Sequence, residues 1–187
     1  MRILAVSGSL SATSTNSALL RAAAESAGPT DVVTFASSIG DLPYFDPAFA
    51  DDLPAAVRRW SAEVAAAEVV VIATPEYAFS LPGVLKNALD WLVGTGDLHR
   101  KTVAVLSASS TLGGGANAQQ AIAQTLRAHG AEIVATLEVP SAKQKFTDGR
   151  LNDEPTRGEL EALLATLNAS CSATLAAGLD ARGQGDR

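Results

Sequence analysis

What the sequence lacks narrows the possibilities first. It has a single cysteine, Cys171, in 187 residues, which excludes an internal disulfide. Its two histidines, His99 and His129, lie far apart without ligand-like spacing, so a His/Cys zinc site is not expected. Lys and Arg number 14 against 20 acidic residues, a net charge of −6, and the basic residues are scattered. No electrostatic footprint for nucleic acid follows from that balance. No apolar run is long enough to cross a bilayer, and Met1 to Val6 leads into a strand without the layout of a signal peptide. The expected compartment is the cytoplasm.

What is present is an α/β pattern organised around Glu68 to Trp91. Val69 to Ala73 is a β-branched run suited to the centre of a parallel sheet covered on both faces. Pro75 then biases Thr74 away from helix and opens the loop Glu76-Tyr77-Ala78-Phe79-Ser80. Pro82 suits a first helical turn, Leu85, Ala88, Leu89 and Leu92 give the helix its buried face, and Gly94 is placed for a left-handed stop. Around this stretch strand and helix alternate. Strands are predicted at Arg2–Val6, Asp31–Ala36, Glu68–Thr74, Thr102–Ser107 and Glu132–Glu138, with helices at Asn16–Ala27, Pro54–Ala67, Pro82–Val93, Ala116–His129 and Pro155–Ala176. Five βα units predict a doubly wound parallel sheet in one domain, residues 1–177, with a frayed polar tail over 178–187. Cys171 shares a helical stripe with Leu160, Leu163, Leu164 and Leu167, and reads as a small packed hydrophobe.

The loop after the first strand, Ser7 to Asn16, is rich in hydroxyls and carries no acidic residue. Hydroxyls and free first-turn amides donate to anionic oxygens at the positive end of a helix, so the loop is a candidate phosphate site. It lacks the Gly-Lys-Ser/Thr ending of a Walker A loop. An ordinary Ser/Thr-capped helix start is the alternative.

Two motifs carry a family resemblance: GSLSATSTN from Gly8 to Asn16, and PEYAFSLPGVLKNALDW from Pro75 to Trp91. With them the chain resembles the NAD(P)H-dependent FMN reductases, over Met1 to about His129. The resemblance implies the flavodoxin-like α/β fold, a five-stranded parallel sheet in the order 2-1-3-4-5 with helices on both faces. It implies FMN as cofactor and NADPH or NADH as hydride donor, with electrons passed to free FMN, a quinone, an azo compound or an oxidised metal. By the same match Ser9, Leu10, Ser11, Ser14, Thr15 and Asn16 would take the FMN phosphate end, and Pro75, Glu76, Tyr77, Ala78 and Phe79 would border the ring. No side chain need act as a catalyst, because the flavin carries the chemistry. A homodimer or tetramer is implied, with the helix after Pro82 contributing. Ser11 stands where the family has arginine, and Ala78 where it has asparagine.

A third loop, Ser107 to Asn117, follows the fourth strand, and Ser109, Gly113 and Gly114 would face the open side of the ring. Gly113, Gly115 and Ala118, with Glu138 further on, also fit a dinucleotide-binding fingerprint, a rival placement for a nucleotide. Glu76 has a second possibility, a carboxylate that only caps backbone. Lys86 and Asp90 read as a surface ion pair, and His129 as a helix end. Tyr44, Phe45 and Phe49 crowd one short loop, which fits an interface, a rim over the flavin, or a satellite cluster on the domain's own edge. Two other functional classes stay open: a flavodoxin-type electron carrier, and a flavin-free binding module on the same fold.

Overall fold

A computed structural model describes residues 1–11 and 13–183, with side chains followed to Ser172. Five parallel strands, β1 (Arg2–Ser7), β2 (Val32–Phe35), β3 (Val69–Ala73), β4 (Thr102–Ala108) and β5 (Glu132–Val139), form one sheet in the order β2-β1-β3-β4-β5. The 2-1-3-4-5 order is the one implied by the resemblance. It places β1 and β3 side by side, Ile3 against Val69 through Ser7 against Ala73, so the loops after them leave the sheet as neighbours.

Alternation along the central strands feeds two separate cores. Ile3, Ala5, Val69, Val71, Ala104 and Leu106 point to one face, where α1 (Thr15–Glu25) and α6 (Glu154–Gly183) bury Leu19, Leu20, Leu160, Leu163 and Leu167. Leu4, Val6, Val70, Ile72, Val103 and Val105 point to the other, under α2 (Ala55–Ala66), α3 (Gly83–Asp90), the short α4 (Leu92–Thr95) and α5 (Ala116–Ala128). Each fully buried leucine stabilises the fold by roughly 1.5–3 kcal/mol relative to exposure. Cys171 packs at the edge of the first core, as its stripe predicts, and burial pushes its thiol up.

Three features differ from the prediction by more than a residue or two at an element's end. The helix after Pro82 breaks at Trp91 and resumes as α4, because Leu92 is fully buried and carries the chain one turn further. The left-handed stop therefore falls at Gly96, with φ of 70°, and Gly94 lies inside α4. Helix α6 continues to Gly183, past the predicted Ala176; the rest of the predicted tail, residues 184–187, lies outside the described residues. Between β5 and α6 a small hairpin appears, β6 (Phe146–Thr147) and β7 (Arg150–Leu151), turning on Asp148 and Gly149 at φ of 50° and 75°. An Asp-Gly pair between apolar neighbours is a strong hairpin signal, and it was available in the sequence. Among the described residues no helix is long and apolar enough to cross a membrane.

Candidate functional site

The three loops singled out in the sequence leave the carboxyl ends of adjacent strands β1, β3 and β4. The first starts from a close contact: a Cβ on Gly8 would meet Leu85 Cδ2 and Thr74 Oγ1 at 3.0 Å, tighter than ordinary side-chain contacts, so glycine eases the approach of this loop to the second. Its hydroxyls then bond locally. Ser9 Oγ accepts from the Ser11 amide at 3.2 Å, Ser11 and Thr13 share a hydroxyl contact at 3.2 Å, and Ser14 caps α1 by accepting from the Asn16 amide at 3.2 Å. The first-turn amides of Thr15 and Ser17 have no intrahelical acceptor. The loop ends in neutral donors at a positive helix end.

The side chain of Asn16, expected at the phosphate end, bonds another loop. It is buried, and its amide spans both main-chain groups of Ala108: Nδ2 donates to the carbonyl at 3.0 Å and Oδ1 accepts from the N–H at 2.8 Å. It ties the hydroxyl loop to the end of β4. One N–H and the carbonyl oxygen of the amide are thereby engaged.

The second loop is a tight turn. Tyr77 and Ser80 exchange two backbone hydrogen bonds at 3.0 Å, and the residues between them, Ala78 and Phe79, have φ of 49° and 60°. Positive φ at both central positions is the type I′ pattern, normally filled by Asn, Asp or Gly. Alanine and phenylalanine there cost about 1–2 kcal/mol each. The family's asparagine at position 78 thus has a backbone reason, since its side chain tolerates the left-handed region. The turn holds Tyr77 58 % and Phe79 80 % exposed. Both aromatics point outward, free of the core.

Glu76 does cap backbone, and the backbone belongs to the third loop. Its Oε2 accepts from the amides of Asn117 at 2.9 Å and Ala118 at 3.2 Å, and its Oε1 from Asn117 Nδ2 at 3.2 Å. The N-cap position of α5, Gly115 at φ of 93°, has no side chain to do this. Beneath, Ser107 Oγ donates to the Gly114 carbonyl at 2.7 Å and accepts from Gln119 Nε2 at 3.1 Å. Gly114 is consequently buried, and Gly113 is the exposed one of the two expected glycines. Ser109 sits at the loop's start in a Ser109–Thr111 hydroxyl pair at 2.9 Å. Nothing in the spacing of Ser107 and Gln119 marks them in sequence as a buried polar pair. The rival dinucleotide placement fails here: the first-turn amides that would meet a phosphate are taken by Glu76, and the loop follows β4.

The other signature residues are structural. Asn87 Oδ1 accepts from the Phe45 amide at 2.8 Å, while Asn87 Nδ2 and Trp91 Nε1 both donate to the Pro43 carbonyl, at 2.9 and 2.8 Å. Phe45 meets Trp91 edge-on at 5.2 Å, whereas Tyr44 is 92 % exposed. Of that loop's three aromatics, Phe45 meets another ring, while Tyr44 and Phe49 are exposed. Lys86 and Asp90 pair at 2.6 Å on the surface. His129 ends α5 half-buried, and burial pushes its imidazole down.

These residues fit FMN: a neutral hydroxyl loop with spare amides for a phosphate, a glycine where a Cβ would close the approach, and outward aromatics for a flat ring. A family model described as NADPH-dependent FMN reductase matches residues 1–145. The chain belongs to this family. Among its curated relatives is the NAD(P)H-dependent FMN reductase of Pseudomonas aeruginosa, 35% identical over 172 residues, which cover 89% of this chain and 93% of that one. A quinone reductase of Escherichia coli is 35% identical over 130 residues, 67% of this chain and 69% of that one. Among solved structures, the NAD(P)H:(acceptor) oxidoreductase flavoenzyme of Paracoccus denitrificans superposes with a TM-score of 0.77 at 26% identity, covering 90% of this chain and 97% of that one. An azoreductase of Bacillus anthracis, at a TM-score of 0.61 and 19% identity over 92% of this chain and 98% of that one, shares the fold.

Proposed function

We propose that this FMN reductase family member is an NAD(P)H-dependent flavin oxidoreductase whose acceptor is a small molecule: free FMN, a quinone, an azo compound or an oxidised metal. The observation that carries the reading is the joining of three loops at adjacent strand ends, by Asn16 to Ala108 and by Glu76 to Asn117 and Ala118, around spare donors and outward aromatics. When bound, FMN would supply the redox chemistry between NADPH or NADH and the acceptor. The chain's own part is binding and orientation. Ser9, Ser11 and Ser14, with the amides of Thr15 and Ser17, hold the phosphate; Leu10, Pro75, Tyr77, Ala78 and Phe79 border the ring, with Ser109 and Gly113 across from them. In this reading residues 1–177 are one FMN-binding domain in a cytoplasmic protein. The exposed Tyr44 and Val93 beside α3 supply apolar surface for a homodimer or tetramer, which light scattering measures.

The test is spectroscopic. Purified protein incubated with FMN should show a flavin spectrum, and anaerobic NADPH or NADH should bleach it within the time of an assay. A flavin that binds and resists bleaching identifies an electron carrier. A protein that binds no flavin refutes the reading.

A further inference from the structure

The turn from Tyr77 to Ser80 holds two non-glycine residues in the left-handed region, so it is kept in place against its backbone preference. Such a turn needs an anchor outside itself. Among the described residues, Tyr77 and Ser80 bond only to each other, and the Thr74 hydroxyl reaches no further than the Pro75 carbonyl at 3.0 Å. Among the described residues, Glu76 is the one side chain of this loop that hydrogen-bonds to another element, and it does so across 41 and 42 positions of sequence. Its acceptor atoms face the amides of Asn117 and Ala118 in the first turn of α5, on the same loop as the exposed Gly113.

Resting on the flavin reading above, we infer that Glu76 is a positioning residue. Its carboxylate clamps the ring-side turn to the third loop, and so fixes the gap into which the ring inserts. The phosphate loop has its own brace in Asn16. Loss of the clamp should therefore weaken recognition of the ring and leave recognition of the phosphate intact.

Titration of the apoprotein with FMN and with riboflavin separates the two ends, since riboflavin has the ring without the phosphate. In Glu76→Ala both affinities should fall by the same factor, about fivefold for the loss of solvent-accessible bonds to a charged acceptor, leaving their ratio at the wild-type value. Glu76→Gln keeps an oxygen for both amides and should recover most of that loss. Amide exchange at Asn117, Ala118 and Ser80, which needs no flavin, should accelerate in Glu76→Ala and remain slow in Glu76→Gln. A purely structural role would lower the melting temperature without moving either flavin affinity. The inference is overturned by wild-type affinity in a folded Glu76→Ala, by loss of FMN binding alone, or by Glu76→Gln as weak as Glu76→Ala. Unchanged amide exchange overturns the clamp itself. Accelerated exchange in a protein whose wild type binds neither flavin overturns the flavin reading and leaves the clamp without a ring to position.

Discussion

The two ends of the sheet are built on different chemistry. At the amino-terminal end, the charges already hold partners: the Met1 amine bonds Asp31 at 2.7 Å, Arg2 pairs with Glu68 at 3.4 Å, and the Ser61 hydroxyl donates to Asp97 at 2.5 Å. Lys101 Nζ caps the end of α2 through the carbonyls of Ala65 and Ala67, at 3.3 and 2.6 Å, and burial pushes its ammonium down. At the carboxyl end the loops are hydroxyls, glycines and exposed aromatics, and Glu76 is committed to main chain. The amino-terminal end has a cavity of about 410 Å³, lined in part by Glu68, Asp97 and Lys101. Those three groups hold partners already, so volume alone does not make a site there. Among the described residues, the end proposed for the ligand is the one that presents first-turn amides, those of Thr15 and Ser17, with no intrahelical acceptor.

Substitutions at the two ends should separate stability from flavin binding. The largest effect is expected for Asn16→Ala, which strips the buried Ala108 of two hydrogen bonds and should destabilise the fold by about 2–4 kcal/mol in urea unfolding, while also loosening FMN. Asp31→Asn at the other end should cost about 1.5–3 kcal/mol and leave flavin affinity unchanged. The Asp31 carboxyl is pushed up by burial, but the bonds from the Met1 amine and the Gly28 amide outweigh this and hold it below its ordinary 3.8. The Met1 amine is raised above 8.0, chiefly by its hydrogen bond to Asp31. The signs follow by linkage: the Asp31 contribution is present above pH 3.8 and lost as pH falls through the lowered value. The amine's contribution is present below pH 8.0 and lost as pH rises through the raised one. The stability difference between wild type and Asp31→Asn, followed from pH 3 to about pH 10, should thus be widest in the middle.

Back at the ligand end, Ser11→Arg restores the family's guanidinium. An added charge some 4 Å from a phosphate is worth about 1 kcal/mol in a water-like setting, so FMN affinity should rise at least several-fold at low ionic strength and fall back as salt screens it. Unchanged or weaker binding with the fold intact would place position 11 away from the phosphate. The smallest effect is expected for Ala78→Asn, which relieves left-handed strain and should stabilise by about 0.5–1 kcal/mol in thermal unfolding.

Much of this architecture is legible in the order of residues. The β-branched run Val69–Ala73 and the leucine spacing of α3 and α6 report burial, and burial fixes the sheet and its covering helices. The loops could be placed at strand ends for the same reason. What each polar side chain does there was not legible, because the partner lies elsewhere in the chain. Asn16 bonds Ala108 and Glu76 bonds Asn117, and no local pattern encodes either pairing. Ala78 is a good helix former sitting at φ of 49°, so local propensity points away from its actual backbone. Gly94 and Gly96 are equivalent as helix stops in sequence, and the burial of Leu92 selects the second.

The most direct test of the central claim, that the hydroxyl loop takes a phosphate while the Tyr77–Ser80 turn takes the ring, compares FMN with riboflavin by fluorescence titration of the apoprotein. FMN should bind much more tightly than riboflavin, and a bulky substitution at Ser9 should erase most of that advantage while leaving riboflavin affinity as it was. Equal affinity for FMN and riboflavin in the wild type would contradict the account.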